Sequence, residues 1–227
     1  MGSLLRIGQV ESFLAILIPI ETRMALREIP LHLTEDQPLP IQVVDWIANS
    51  RQRIELYWDH FSKQPLPQYI ECDFDLVALA LAEVVGRDMI DGKLFVEWGC
   101  GFAVVTGIAG LLGLDAVGIE AEEMLCVEGR KLLAKHGVPG EIWQGNFLPN
   151  GARRLAEDTD PLVSLTHDIP PAYEANQIGL DDFAIVFAYP WPGEEHFLRL
   201  VFDRYARPNG LLLMYRGPYH IELYRKR

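Results

Sequence analysis

With 227 residues, 49% of them hydrophobic and 10% aromatic, the chain can fill one well-buried domain with an attachment. A formal net charge of −12 and a pI near 4.9 leave few cations for a phosphate backbone, so no nucleic-acid partner is expected. Cys72, Cys100 and Cys126 are odd in number and share no metal-ligand spacing, which points to reduced thiols in a cytoplasmic protein and to no metal site.

The most apolar early stretch, FLAILIPI at residues 13–20, is far shorter than the ~20 residues a membrane-spanning helix needs and contains Pro19. Glu11 and Glu21 flank it and no small-residue cleavage pattern follows, so neither a membrane nor a secretion signal is expected. Proline-rich stretches at 35–40 and 62–68 bracket one predicted helix at 41–61, where Val43, Val44, Ile47, Ile54, Tyr57, Trp58 and Phe61 recur at three-to-four spacing. Residues 73–86 predict another, with Asp73 or Asp75 as cap and Gly86 as stop.

From Lys93 onward, short apolar strands alternate with helical stretches, the pattern of βαβ units around a parallel sheet. KLFVEWG, LDAVGIE, GEIWQGNF and FAIVFAYPWP are predicted strands with their exit loops, and residues 194–210 predict a helix before the strand GLLLMYRG. Only GPY joins that strand to HIELYRKR, too little for a parallel crossover, so the last strand is expected to be antiparallel. The fold class is therefore α/β: a Rossmann-like, doubly wound, mostly parallel seven-stranded sheet with an antiparallel last strand. A helical extension is expected over residues 1–75 and the nucleotide domain over 76–227. Residues 148–181 are long for a connection, hold a short helix at RRLAED and a short strand at LVSLTH, and are expected near the ligand.

A strand that ends in glycines and enters a helix presents backbone N–H groups and a positive dipole end at one spot. Gly99 and Gly101 allow close approach to the main chain, but Val104 stands where the dinucleotide fingerprint needs its third glycine. Glu97, two residues before the first glycine, would repel a diphosphate. It suits a cation instead, and S-adenosylmethionine carries an ammonium and a sulfonium and no phosphate.

Residues 94–147 resemble the core of class I S-adenosylmethionine-dependent methyltransferases. Glu97-Trp98-Gly99-Cys100-Gly101-Phe102-Ala103 is similar to that family's acid-x-G-x-G-x-G loop around the methionine half of the cofactor, with Ala103 in place of a third glycine. Glu120, closing AVGIE, matches the acid that binds both ribose hydroxyls. In QGNF, Asn146 matches the residue that accepts from the adenine amino group, with Phe147 beside the ring. RYARPNGLLLMYRG is similar to the helix, turn and strand near the end of such domains. The resemblance implies S-adenosyl-L-methionine as cofactor and methyl transfer to a small molecule or a protein side chain.

The loop AYPWPGEEHF after the fourth strand is where the acceptor is expected, with Tyr189 and Trp191 offering flat faces to a cation. Tyr189 and Glu194 are the catalytic candidates, followed by Glu195, His196, His167 and Asp168. Plainer readings stand beside these. Glu97 also reads as a strand-end carboxylate, Glu120 and Glu194 as acids favoured at helix starts, Cys100 as a small filler, and Trp46, Tyr57 and Trp58 as core rather than pocket. The rival functions are a nicotinamide-dependent oxidoreductase and a non-catalytic S-adenosylmethionine-binding protein. The first 75 residues are expected to pack over the open end of the nucleotide domain, with homodimer contacts through the very N-terminal helix as the alternative.

Overall fold

The computed structural model describes residues 25–34, 36–61, 69–156 and 169–227. The 13–20 stretch, the short strand expected at LVSLTH, His167 and Asp168 lie outside them. Strand β1 (Leu26–Ile29) precedes helices α1 (Ile41–Phe61) and α2 (Phe74–Gly86). The alternating core then runs β2 (Leu94–Trp98), α3 (Val104–Leu111), β3 (Asp115–Glu120), α4 (Glu123–His136) and β4 (Glu141–Gln144). After a 3-10 turn at Ala152–Ala156, where RRLAED predicts a short helix, come α5 (Ala172–Ala175), β5 (Ile185–Ala188), α6 (Glu195–Tyr205), β6 (Leu211–Gly217) and β7 (His220–Lys226).

One seven-stranded sheet has the order β1-β7-β6-β5-β2-β3-β4. Strands β2 to β6 pair in parallel, and β7 pairs antiparallel with both β6 and β1, so β7 alone runs against the rest. This is the Rossmann-like sheet with a reversed last strand that the sequence predicts. The correction lies in the N-terminal extension, expected to be helical, which also contributes the seventh strand. Leu26 faces Lys226 and Ile29 faces Leu223 in that pairing. LREI is only four residues long with Arg27 and Glu28 exposed at its centre, so it carries no alternation to reveal it.

Strand pleating sends successive side chains to opposite faces. On one face Phe95, Ile185, Phe187 and Leu213 pack with the apolar sides of α1 to α4. On the other, Val96, Val186, Leu212 and Met214 pack with α5, α6 and the 3-10 turns. Helix α1 buries Val43, Trp46, Ile47, Ile54 and Tyr57 at helical spacing, and the Trp46 indole N–H donates to the Val104 carbonyl at 2.8 Å. Asp73 caps α2 by accepting from the Leu76 N–H at 3.1 Å, and Gly137 ends α4 with φ +61°. Trp46 and Tyr57 are therefore core residues, as their plainer reading had it.

Candidate functional site

A cavity of about 480 Å³ opens at the carboxyl ends of β2, β3, β4 and β5, within the range usual for small-molecule and cofactor sites. It lies where successive strands depart in opposite directions, β3 on one side of β2 and β5 on the other, the switch point at which open α/β sheets bind ligands. Its wall holds Gly99, Gly101, Glu120, Asn146, Phe147, Tyr189 and Glu194, so seven of the nine site residues expected from sequence meet there. Glu97 and Cys100 line a smaller adjoining recess of about 30 Å³ that also touches Gly99, Tyr69 and Tyr189.

The loop between β2 and α3 turns left-handed at every second residue, with φ of +71° at Gly99, +52° at Gly101 and +60° at Ala103. Ala103 thus occupies a left-handed conformation that favours glycine, a backbone strain its methyl bears. The N–H groups of Gly99, Cys100, Gly101 and Ala103 are already engaged within the protein. Gly99 and Cys100 N–H donate to the Ile119 carbonyl at 2.9 and 3.0 Å, and the Gly101 N–H donates to Glu120 Oε2 at 2.8 Å. Glu120 Oε1 accepts from the Glu122 N–H at 2.9 Å.

Glu97 stands one residue before Trp98 and therefore on the opposite face of the sheet. Its Oε2 accepts from both the backbone N–H (2.7 Å) and the hydroxyl (2.6 Å) of Thr106 in the first turn of α3. Burial pushes its carboxyl up to about 8 against the pull of these two bonds, and the charge of Glu120 adds to the rise. Burial likewise raises Glu120, opposed by the N–H groups it accepts from. The Cys100 thiol is buried and held well above its usual range, chiefly by desolvation, which suits a filler rather than a nucleophile.

Trp98 was not singled out by sequence reasoning, yet it builds the floor. Its ring stacks on Phe147 with centroids 5.3 Å apart and planes 15° from parallel, and its indole N–H donates to the buried Tyr173 hydroxyl at 2.9 Å. Asn146 is buried, its Oδ1 accepts from the Leu148 N–H at 2.9 Å, and its backbone bridges to residues 170–172. Of the 148–181 segment, residues 170–173 thus bond to Asn146 and Trp98, while none of its described residues lines the cavity.

Across the cavity, Tyr189 packs edge-on against Tyr215 with centroids 4.8 Å apart. Glu194 is only 4% exposed, and its Oε2 accepts from the Trp191 N–H at 3.1 Å. Burial raises its carboxyl, opposed by that bond. Glu194 is the N-cap residue of α6, an acid at a helix start as its plainer reading has it, but its side chain accepts no bond from the N–H groups of the helix. Glu195 instead pairs with Arg216 at 2.9 Å, and His196 is exposed. Tyr69, from the segment before α2, closes the roof: a Cβ on Gly101 would lie 2.5 Å from its ring, which leans on Phe102 and Trp58. No sequence signal marked Tyr69, since its role depends on a long-range contact.

Among the described lining residues of this cavity there are three carboxylates, Glu120, Glu122 and Glu194, and no Lys, Arg or His. Among the described residues no group of three or more His, Cys, Asp or Glu is placed to hold a metal, and no helix is long and apolar enough to cross a membrane.

No family model matches the chain, and no curated protein matches it. Solved structures do. An O-methyltransferase from Bacillus cereus, in complex with S-adenosylhomocysteine, is 12% identical over 79% of this chain and 68% of its own, with a TM-score of 0.46. The 16S rRNA N2 G1207 methyltransferase of T. thermophilus, in complex with AdoMet and guanosine, is 14% identical over 72% of this chain and 45% of its own, with a TM-score of 0.46. An RNA methyltransferase from Salinibacter ruber, in complex with S-adenosyl-L-homocysteine, is 18% identical over 63% of this chain and 88% of its own, with a TM-score of 0.40. What this chain has of its own is a Rossmann-like sheet of seven strands, six running one way and one reversed, with an acid-lined cavity at its switch point.

Proposed function

We propose that the protein is an S-adenosylmethionine-dependent methyltransferase acting on a small molecule or a protein side chain. One observation carries the reading: the N–H groups a diphosphate would need, those of Gly101 and of Thr106 at the start of α3, are occupied by the protein's own carboxylates, Glu120 and Glu97. A dinucleotide would add phosphates to a wall that already holds acids and no described cation. A ligand that is positively charged and free of phosphate meets no such repulsion.

The residues fit that ligand. In this reading Glu120 receives the ribose hydroxyls, Asn146 and Phe147 hold the adenine, and Gly99 and Gly101 admit the methionine portion. Glu97, protonated in the free protein below about 8, gives up that proton as it takes the ammonium from the adjoining recess, with Cys100 as packing. S-adenosylmethionine supplies, when bound, a methyl group on a positively charged sulfur. The protein's part is to align an acceptor, exclude water and take a proton, for which Tyr189 and Glu194 stand on the far wall. The acidic wall also disfavours a nucleic-acid acceptor.

Calorimetric titration tests this directly. Wild type is expected to bind S-adenosylhomocysteine at about micromolar Kd and NADH not at all, and Glu120→Ala to bind about tenfold or more weakly, about 1.4 kcal/mol. Equal affinity in wild type and variant, or preferential binding of NADH, would remove the assignment.

A further inference from the structure

We infer that the acceptor is an amine carried on an apolar body, received as its ammonium by Glu194; this rests on the methyltransferase reading and names the acceptor class for the same cavity. Glu194 is a buried carboxylate on the cavity wall with one described hydrogen bond, from the Trp191 N–H, although a carboxylate can accept several. Around it stand Tyr189, Trp191, Pro190, Pro192 and Leu198, which offer aromatic faces and aliphatic surface and no cation. Flat π-faces attract an ammonium, and a nearby carboxylate does so more strongly. The same surroundings penalise a phosphate or carboxylate on the acceptor, and they leave a hydroxyl acceptor with nothing that prefers it to an amine.

The chemistry balances. The acceptor ammonium gives one proton to the Glu194 carboxylate, and the freed nitrogen lone pair bonds to the methyl carbon. The pair of the broken carbon–sulfur bond stays with sulfur as a thioether, and the product leaves as a methylammonium. Glu194 then returns its proton to water, so one proton is released per methyl group moved. Burial, which raises the Glu194 carboxyl, narrows the gap between it and an amine and so favours this transfer.

Three near-isosteric probes decide the matter: 2-phenylethylamine, 2-phenylethanol and 3-phenylpropionate, each offered to the whole chain with S-adenosylmethionine. Release of S-adenosylhomocysteine and the mass of the methylated product are followed. The amine is expected to turn over at least about tenfold faster than the alcohol, and the carboxylate not at all. Glu194→Gln, which keeps an acceptor for the Trp191 N–H while losing the charge, is expected to lower the amine rate by about 100-fold and to flatten its dependence on pH. Equal turnover of amine and alcohol, or no turnover of the amine by a protein that binds S-adenosylhomocysteine, overturns the inference and leaves the cofactor reading standing. Failure to bind S-adenosylhomocysteine at all defeats the cofactor reading first. An unchanged amine rate in Glu194→Gln, with normal melting behaviour, shows that the carboxylate has no part.

Discussion

The two walls of the cavity are built differently. On the β3 and β4 side, Glu120 and Asn146 are bound to backbone N–H groups one or two residues away or in the facing loop, so each is held by its own strand end. On the β5 side, Tyr189, Trp191 and Glu194 stand on a loop stiffened by Pro190 and Pro192, where the Trp191 N–H donates to the Glu194 carboxylate and the Glu194 N–H to the Trp191 carbonyl, and the roof comes from Tyr69, distant in sequence. A wall made from strand ends repeats wherever the fold repeats. A wall made from loop and long-range packing depends on this chain's own sequence, and in the proposed function it is the wall that faces the acceptor.

The contrast is broken most severely at Glu97, the acid that serves the first wall from behind. Its folded carboxyl sits near 8 against a usual 4.5, so the folded state holds a proton that the unfolded chain gives up. The stability this proton brings is complete below about 4.5 and is lost as pH rises through about 8, at a slope approaching about 1.4 kcal/mol per pH unit. In chemical melts across that window, the difference between wild type and Glu97→Gln is expected to follow this slope, with the wild type falling behind as pH rises. A pH-independent difference would place Glu97 in a wetter site than the structure gives it.

A smaller effect separates the two glycines that the walls share. Gly101→Ala meets the Tyr69 ring and a left-handed backbone together, whereas Gly99→Ala has open space and only the backbone cost. Gly101→Ala is expected to lose about 1–3 kcal/mol and Gly99→Ala about 1 kcal/mol in denaturant melts. Combining Gly101→Ala with Tyr69→Ala should show less than additive loss, because the collision is removed. Additivity would mean that the ring yields freely. Smallest is Ala103→Gly, where relief of the left-handed alanine opposes loss of a buried methyl worth ~0.8 kcal/mol, leaving a change within about 0.5 kcal/mol.

These walls also differ in how far the sequence betrayed them. Glu120 and Asn146 close recognisable strands, and their meeting at one cavity was legible from the resemblance of residues 94–147 to a methyltransferase core. Glu97 was legible as an acid beside the glycines, but not its engagement by Thr106, which depends on strand pleating carrying it to the α3 face while Trp98 turns to the other. Trp98 itself could have been found by extending that alternation one residue. Tyr69 could not, because a roof is a tertiary contact between segments with no common period. Strand β1 escaped for a related reason: at a sheet edge it needs no apolar face, and nothing in LREI distinguishes it from a loop.

That edge strand has a consequence for how the molecule assembles. Among the described strands it pairs with β7, the last of the sheet, and the closing bond runs from the Arg227 N–H to the Ala25 carbonyl at 2.9 Å. Contacts so far apart along the chain form late, because nearly the whole polypeptide must be ordered before they repay the entropy of closure. Until then β7 carries a row of unsatisfied amides and carbonyls, the kind of border to which another molecule's strand can attach. Refolding at high concentration should therefore be the condition under which this protein aggregates, and pairing of β1 replaces the long β7 border with a four-residue edge that carries exposed Arg27 and Glu28.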